Sequence, residues 1–440
     1  MIPRFGAFLV ARSAKALLAI PFLLLAMAAQ AQTPSVEDRV NLLMRQGQFA
    51  DAYALAEREW PPQTPNRAMR LDFIRAMSLK AQGRHHEAIA VLRRINAENP
   101  AFTRVRAELA HSLYVVGDHE AARFHFTDLT RSVDDGRMRD AFDAYLNAMR
   151  RQRPYRVGAY VSIAPSTNIN NRTTARTVVV NGIPFQLTED SRALSGIGLS
   201  GGVSGERSFL FGNDLTLTVA GRFDGTKYRQ DEFDKFQLSG NAFLRKRVGA
   251  STFGAGLVAD HQNQGHESYR NGIGGAVEYG RVFEGGRHLF ASARLMHYRY
   301  PGLDFLDGWQ ASASLIGRQT LAPGHHLTAG LRFTVERTQR DYHDNDGIGA
   351  FVSHTREWRG GLITEVEPSV AVRQYRARDP VFGIKRQDIE VGGTLRLMHR
   401  KLNFEGFAPR LEYSYLRQFS NHPLQERDTH ALNVVMTREF

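Results

Sequence analysis

Leu215-Thr-Leu-Thr-Val-Ala-Gly-Arg-Phe-Asp224 decides the fold class of this chain. Leu215, Leu217, Val219 and Phe223 alternate with Thr216, Thr218, Ala220, Arg222 and Asp224, and a period of two belongs to strands. Phe236, Leu238, Ala242 and Leu244 alternate in the same way with Gln237, Ser239, Asn241, Phe243 and Arg245. Leu327, Ala329, Leu331, Phe333 and Val335 alternate with Thr328, Arg332, Thr334 and Glu336; Val391, Leu395 and Leu397 alternate with Gly392, Thr394, Arg396 and Met398. A soluble sandwich alternates too. Here the polar face carries Arg, Glu and Asp deep inside long strands, which is the lipid-out, lumen-in pattern of a tilted transmembrane barrel.

Outward from this stretch, the chain after Tyr155 divides into fourteen expected strands. They are 156–164, 191–206, 214–228, 234–247, 251–265, 269–283, 287–300, 308–320, 325–341, 353–363, 367–378, 387–400, 408–419 and 428–440. An even number suits an antiparallel sheet closed on itself. Connections after odd strands are mostly long and polar, as in Pro165–Asp190, Tyr342–Val352 and Ser420–Arg427. Those after even strands are mostly tight, as in Val248-Gly-Ala250 and Glu284-Gly-Gly286. Long loops on one rim and tight turns on the other fit the outside and the periplasmic face of the cell outer membrane. Closure requires the last strand to pair with Arg156–Ala164. Phe440 completes the alternating set Leu432, Val434, Met436 and Arg438, and such an aromatic end reads as a barrel-assembly signal. Arg438 shares the lipid-facing side and snorkels at the rim. Tyr279, Tyr298, Tyr300, Trp309, Tyr375, Tyr413 and Tyr415 fall near strand ends, where aromatic girdles are expected.

The other end of the chain agrees. Arg4, Arg12 and Lys15 precede the apolar run Ala16–Ala29, which is too short to span a bilayer as a helix. Ala29-Gln-Ala31 is a cleavage site, so residues 1–31 read as a removed signal peptide. Cysteine is absent, which excludes disulfides and thiolate metal sites. No later segment has 18 consecutive apolar residues, so a membrane fate must come from strands. In an exported chain the net charge of +12 points to anionic lipid or an acidic passenger rather than nucleic acid.

Residues 32–153 read as a periplasmic all-α domain of tetratricopeptide-like repeats, ahead of a barrel spanning 154–440. Gly47-Gln-Phe-Ala-Asp-Ala52, Gly83-Arg-His-His-Glu-Ala88 and Gly117-Asp-His-Glu-Ala-Ala122 share one pattern, with glycines 36 and 34 residues apart. Leu43, Leu79 and Leu113 each stand four residues before a glycine. Pro65 and Pro100 close the first two repeats; the third has no proline at that place. The glycine ends a first helix and the alanine packs a second. In that register Asn41, Met44, Met77, Lys80, His111 and Tyr114 face the concave groove, either as a peptide-binding surface or as inter-repeat core. His85-His86 lies at a solvent-facing turn and lacks metal-ligand spacing.

Enzymatic signatures fail on context. Gly196-Ile-Gly-Leu-Ser-Gly201 and Gly198-Leu-Ser-Gly-Gly202 match nucleotide-binding and hydrolase patterns, but both lie inside a strand with no helix following. Asp344-Asn-Asp346-Gly347 lacks the later glutamate of a calcium loop. We expect no catalytic residues, metal or cofactor. Lumen-facing Arg222, Arg245, Arg294, Arg332 and Arg396 either form an electropositive path or brace the barrel through Glu278, Glu336 and Glu412.

The order of signal peptide, repeats and fourteen strands resembles the Slam family, the surface lipoprotein assembly modulators, outer-membrane components of type XI secretion. Three short motifs support the resemblance: Asn168-Ile-Asn170 after the first strand, Arg386-Gln-Asp388 opening the twelfth, and Ser420-Asn421 before the last. The resemblance implies a translocator that moves a lipoprotein, or a related secreted haem- or metal-acquisition protein, from periplasm to cell surface. The partners it implies are that passenger, periplasmic chaperones, the barrel-assembly machinery and outer-membrane lipid, around a monomeric barrel with no nucleic acid. A polysaccharide exporter or a porin-like channel with a periplasmic scaffold is the alternative reading.

Overall fold

The computed structural model describes residues 35–437, apart from 134, 153, 181, 213, 401 and 403–407. The expected signal peptide, Arg438 and Phe440 lie outside the described residues.

Among the described residues seven helices come first: α1 (Val36–Arg45), α2 (Phe49–Glu59), α3 (Arg67–Ala81), α4 (His85–Glu98), α5 (Thr103–Val115), α6 (His119–Ser132) and α7 (Gly136–Gln152). The repeat signature has one physical cause at all three places. Gly47, Gly83 and Gly117 have φ of 76°, 75° and 83°, the left-handed region that only glycine enters without cost. The next N–H then turns back on the leucine carbonyl, Gln48 to Leu43, Arg84 to Leu79 and Asp118 to Leu113, each at 2.9 Å. Ala52, Ala88 and Ala122 are wholly buried, so any larger side chain would part the helix pairs. α7 closes the stack, with Phe142, Leu146 and Met149 packed against Phe126 and Leu129 in the core.

The strands follow: β1 (Tyr155–Ser166), β2 (Thr177–Val180), β3 (Ile183–Gln186), β4 (Gly196–Phe211), β5 (Leu215–Lys227), β6 (Lys235–Val248), β7 (Ser251–Gln264) and β8 (Glu267–Phe283). Then come β9 (Arg287–Arg299), β10 (Gly308–Ala322), β11 (His325–Thr338), β12 (Asn345–Glu357), β13 (Leu362–Arg378), β14 (Lys385–His399), β15 (Ala408–Ser420) and β16 (Arg427–Thr437). β2 and β3 pair with each other inside the first long loop; the other fourteen strands form one closed antiparallel barrel. β1 closes on β16, with Tyr160 opposite Thr437 and Ile163 opposite Val434. Val157, Ile197, Leu257 and Ile273 point outward with 67–74% of their surface uncovered. In an outer membrane, lipid covers that band.

Close approach explains the glycine-rich β4. A Cβ on Gly202 would collide with the Tyr160 ring and the Asp224 carboxylate. Without it, Tyr160 lies across β4 and donates its hydroxyl to Asp224 Oδ1 at 2.8 Å.

Two expectations need correcting. The tenth barrel strand is Asn345–Glu357, not 353–363. Asp346-Gly-Ile-Gly349 has turn composition, yet Gly347 and Gly349 sit opposite Thr334 and Arg332 on the lumen face, where a missing side chain leaves room for the neighbours. Asp346 is fixed by Arg337 at 2.6 Å and Arg376 at 3.1 Å. Of the expected girdle aromatics, Tyr298, Tyr300 and Tyr375 are buried at 6–8% exposure rather than lipid-facing. Tyr298 points inward and donates to Asp260 Oδ2 at 3.3 Å. Parity within the strand, not nearness to its end, decides which face an aromatic takes.

Candidate functional site: a barrel mouth capped by helices

The helical domain lies against the tight-turn rim of the barrel, joined there by buried charge. Arg106 of α5 is completely buried. Its Nη1 donates to Asp128 Oδ2 at 2.9 Å, and its Nη2 donates to the Pro100 carbonyl at 2.9 Å and to Glu357 Oε2 at 3.0 Å. Glu357, at the end of β12, also accepts from Arg400 Nη2 at 3.1 Å. Asp128 of α6 takes the backbone N–H of Gly324 at 3.2 Å and pairs with His326 Nε2 at 3.0 Å, both in the β10–β11 hairpin. Burial alone would raise the Asp128 carboxyl, but the His326 hydrogen bond and the Arg106 charge bring it down to about 2. Two further ties flank this cluster: Gly360 N–H to the Ala97 carbonyl at 2.6 Å, and Arg247 to Asp143 of α7 at 2.8 Å. Above α6 lies a cavity of about 1040 Å³ bounded by Phe124, Arg131 and the inner faces of β1, β4 and β16. None of this junction is flagged by a motif. The one usable signal was Arg106 standing on the apolar stripe it shares with Leu109, Ala110 and Leu113.

The expected groove residues separate into two groups. Asn41, Met44 and Met77 line a cleft of about 470 Å³ with Phe49, Trp60 and Phe102, edged by Arg45, Arg70 and Arg104. Lys80, His111 and Tyr114 do not share it. Lys80 is half-buried against Glu108 in an ion pair. The His111 and Tyr114 rings meet Tyr145 of α7 at 5.8 Å and 5.2 Å. Burial, then the Lys80 charge, pushes the His111 imidazole below its ordinary value. α7 therefore occupies the share of the groove expected of the third repeat.

The expected lumen arginines also divide. Arg222 is paired with Asp224, Arg245 with Glu278, and Arg396 bridges Glu365 at 2.5 Å and Glu412 at 2.9 Å. The side chains of Arg294 and Arg332 make no hydrogen bond or ion pair among the described residues. Glu336 accepts instead from Asn345 Nδ2 at 2.8 Å.

On the opposite rim, motifs distant in sequence meet. Arg386 clamps the fully buried Asp388 at 3.0 and 2.6 Å, and Ser420 Oγ donates to Asp388 at 2.7 Å. Asn421 accepts from the Gln387 N–H at 2.8 Å and donates to the Lys385 carbonyl at 2.9 Å. Asn168 folds the first long loop on itself through both the N–H and the carbonyl of Arg172, at 3.0 and 2.9 Å. Asn170 ties that loop to Arg192 and Leu194. Thr173 then joins it to the last loop through the carbonyls of Pro423 and Glu426 at 3.1 and 2.8 Å.

Residues 155–440 match the family described as surface lipoprotein assembly modifier, and residues 79–141 match a tetratricopeptide repeat family. Surface lipoprotein assembly modifier 1 of Haemophilus influenzae is 23% identical over 398 residues, covering 84% of this chain and 77% of its own. The surface lipoprotein assembly modifier of Pasteurella multocida is 21% identical, covering 84% and 76%. Surface lipoprotein assembly modifier 1 of Neisseria meningitidis is 25% identical, covering 82% and 74%.

Proposed function

This chain belongs to the surface lipoprotein assembly modifier family, and on that premise we propose that it moves specific lipoproteins, or related secreted proteins, from the periplasm to the cell surface. The observation that carries the reading is the capped mouth. A helical-repeat domain with an apolar, arginine-edged cleft is fixed by the buried Arg106–Glu357 pair and the Asp128–His326 contact onto one rim of an outer-membrane barrel. A passive channel has no use for such a cap. A polysaccharide exporter would favour a lumen of one sign, whereas much of this lumen is ion-paired. In our reading the helices are periplasmic, receive the passenger from chaperones, and hand it to a monomeric barrel without any catalytic step. The test is deletion of the gene, followed by protease shaving of intact cells. Loss of surface exposure of a co-encoded lipoprotein, restored by the intact chain, is the expected result. Unchanged exposure of every candidate passenger would refute the reading.

A further inference from the structure

We propose that one wall of the lumen, carrying Arg131, Arg318, Arg332 and Arg294, is a binding track for an acidic stretch of polypeptide; this rests on the translocator reading above and names its substrate chemistry.

The lumen is electrically two-sided. On the walls formed by β4–β8 and β13–β15, Asp224, Glu278, Glu365 and Glu412 are each held by an arginine. The wall formed by β9, β10 and β11 differs. Arg294, Arg318 and Arg332 sit on it, and their side chains make no ion pair or hydrogen bond among the described residues. The register places them in order. Arg318 is opposite His288 and Thr328, Arg332 is opposite Ser314, and Arg294 is opposite Ser312. At about 3.3 Å per residue, the rungs at 318, 314 and 312 rise about 13 Å and then about 7 Å from near the capped rim to mid-barrel. Arg131, in the last turn of α6, stands at the foot, where its carbonyl accepts from His288 Nε2 at 3.3 Å. Arg131 and Arg318 both line the cavity of about 1040 Å³.

Among the described residues no carboxylate lies within ion-pair distance of these four cations. Asp128 is the acid whose charge reaches Arg131 and Arg318, and it is already engaged by Arg106, His326 and Gly324; Glu365, whose charge also reaches Arg318, is held by Arg396. Glu336 stands four residues further up β11 and accepts from Asn345. Desolvation in the mouth, then the like charge of Arg318, pushes the Arg131 guanidinium below its ordinary value. Like charges left close together in a partly desolvated channel are stabilised by an anion that bridges them. Rungs spaced along one wall suit several carboxylates on one extended chain better than a single small anion. An arginine presents a planar fork that binds carboxylates in two-point fashion.

The test uses the full-length chain in detergent or nanodiscs and reads binding by fluorescence anisotropy. The probes are a labelled deca-glutamate peptide, a Gly-Ser peptide of equal length, an oligogalacturonate and inorganic phosphate. We expect the glutamate peptide to bind, to weaken with added salt, and to lose roughly tenfold in affinity in the Arg318→Gln/Arg332→Gln variant. Arg318→Lys/Arg332→Lys should recover most of that loss, and heat-modifiable migration should stay unchanged. A neutral double variant of a paired site, Arg245→Gln/Glu278→Gln, should bind like wild type. Equal binding of the glutamate and Gly-Ser peptides, indifference to the Gln substitutions, preference for oligogalacturonate, or displacement of the peptide by millimolar phosphate would each overturn the proposal. If the peptide does not bind yet passenger exposure in cells still depends on the gene, the track fails and the translocator stands. If the peptide binds and exposure is indifferent to the gene, the reverse holds.

Discussion

Replacing Arg106 with Met should loosen the helical domain from the barrel without harming the barrel itself. Arg106 is completely buried and spends its guanidinium on Asp128, Glu357 and the Pro100 carbonyl. Breaking a buried pair by removing one partner costs about 3–5 kcal/mol, mostly because the abandoned charge stays buried. Here neither carboxylate is left alone, since Asp128 keeps His326 and Glu357 keeps Arg400. The lower end, about 3 kcal/mol, is therefore the expectation, which is about 150-fold in the docking equilibrium. Native-state amide exchange reads such an opening even while the docked form dominates. Protection across His119–Ser132 should fall by up to about 150-fold, while the amides of β5–β9 keep theirs. Combining Arg106→Met with Glu357→Gln should cost less than the two singles added, because they remove the same contact. If protection of α6 changes less than about threefold in Arg106→Met, the buried cluster is not what holds the cap, and this reasoning is wrong.

Three further outcomes follow from the same geometry. The Asp128 carboxyl lies at about 2 in the folded chain against an ordinary 3.8, so its contribution is complete above about pH 4 and is lost as pH falls towards 2. That amounts to about 2.4 kcal/mol, visible as reduced α6 protection after normalising for intrinsic exchange, and absent in Asp128→Asn. Gly202→Val should cost about 1–3 kcal/mol by driving a side chain into Tyr160 and Asp224, and should lower the heat-modifiable folded fraction on refolding into micelles. Asp388→Asn leaves Arg386 without its charged partner and weakens the Ser420 bond, so proteinase K should cut within the last long loop (421–426) of intact cells several-fold faster.

The barrel was legible because its alternation is redundant. Each strand repeats the lipid-out, lumen-in pattern about six times, and a slip of one residue would put Arg222 or Arg396 into lipid. The repeats were legible because one steric demand recurs, a left-handed glycine followed by a buried alanine. The misplaced tenth strand shows where this fails. Asp346-Gly-Ile-Gly349 carries turn residues for a reason of packing, and local composition cannot distinguish a glycine that turns the chain from one that makes room for Thr334. Half of the expected groove was lost in the same way. His111 and Tyr114 have groove spacing, and only the fold shows that α7 returns to cover them.

Charge pairing lies furthest from sequence. Arg106 and Glu357 are 251 residues apart, and Arg386-Gln-Asp388 meets Ser420 across 32. Spacing carries no trace of either contact, because the closed sheet rather than the local chain brings them together. The same argument sorts the lumen arginines. Arg222 has its acid two residues on in the chain, but Arg245 and Arg396 look no different in sequence from Arg294 and Arg332. What separates them is where the nearest acid falls: two residues along the same strand for Arg222, two strands away for Arg245, and on the adjoining strand for Arg396. The acids at Asp224, Glu278 and Glu412 fall within reach of the first group, while Arg332 finds Ser314 and Gly349 on either side and Arg294 finds Ser312 and Ala276. An arginine flanked by serine, alanine and glycine has no acid beside it on the adjoining strands. Apart from Arg222, whose acid is local, the arginines that brace this barrel and those we propose for a passenger are thus told apart by the register of the closed sheet.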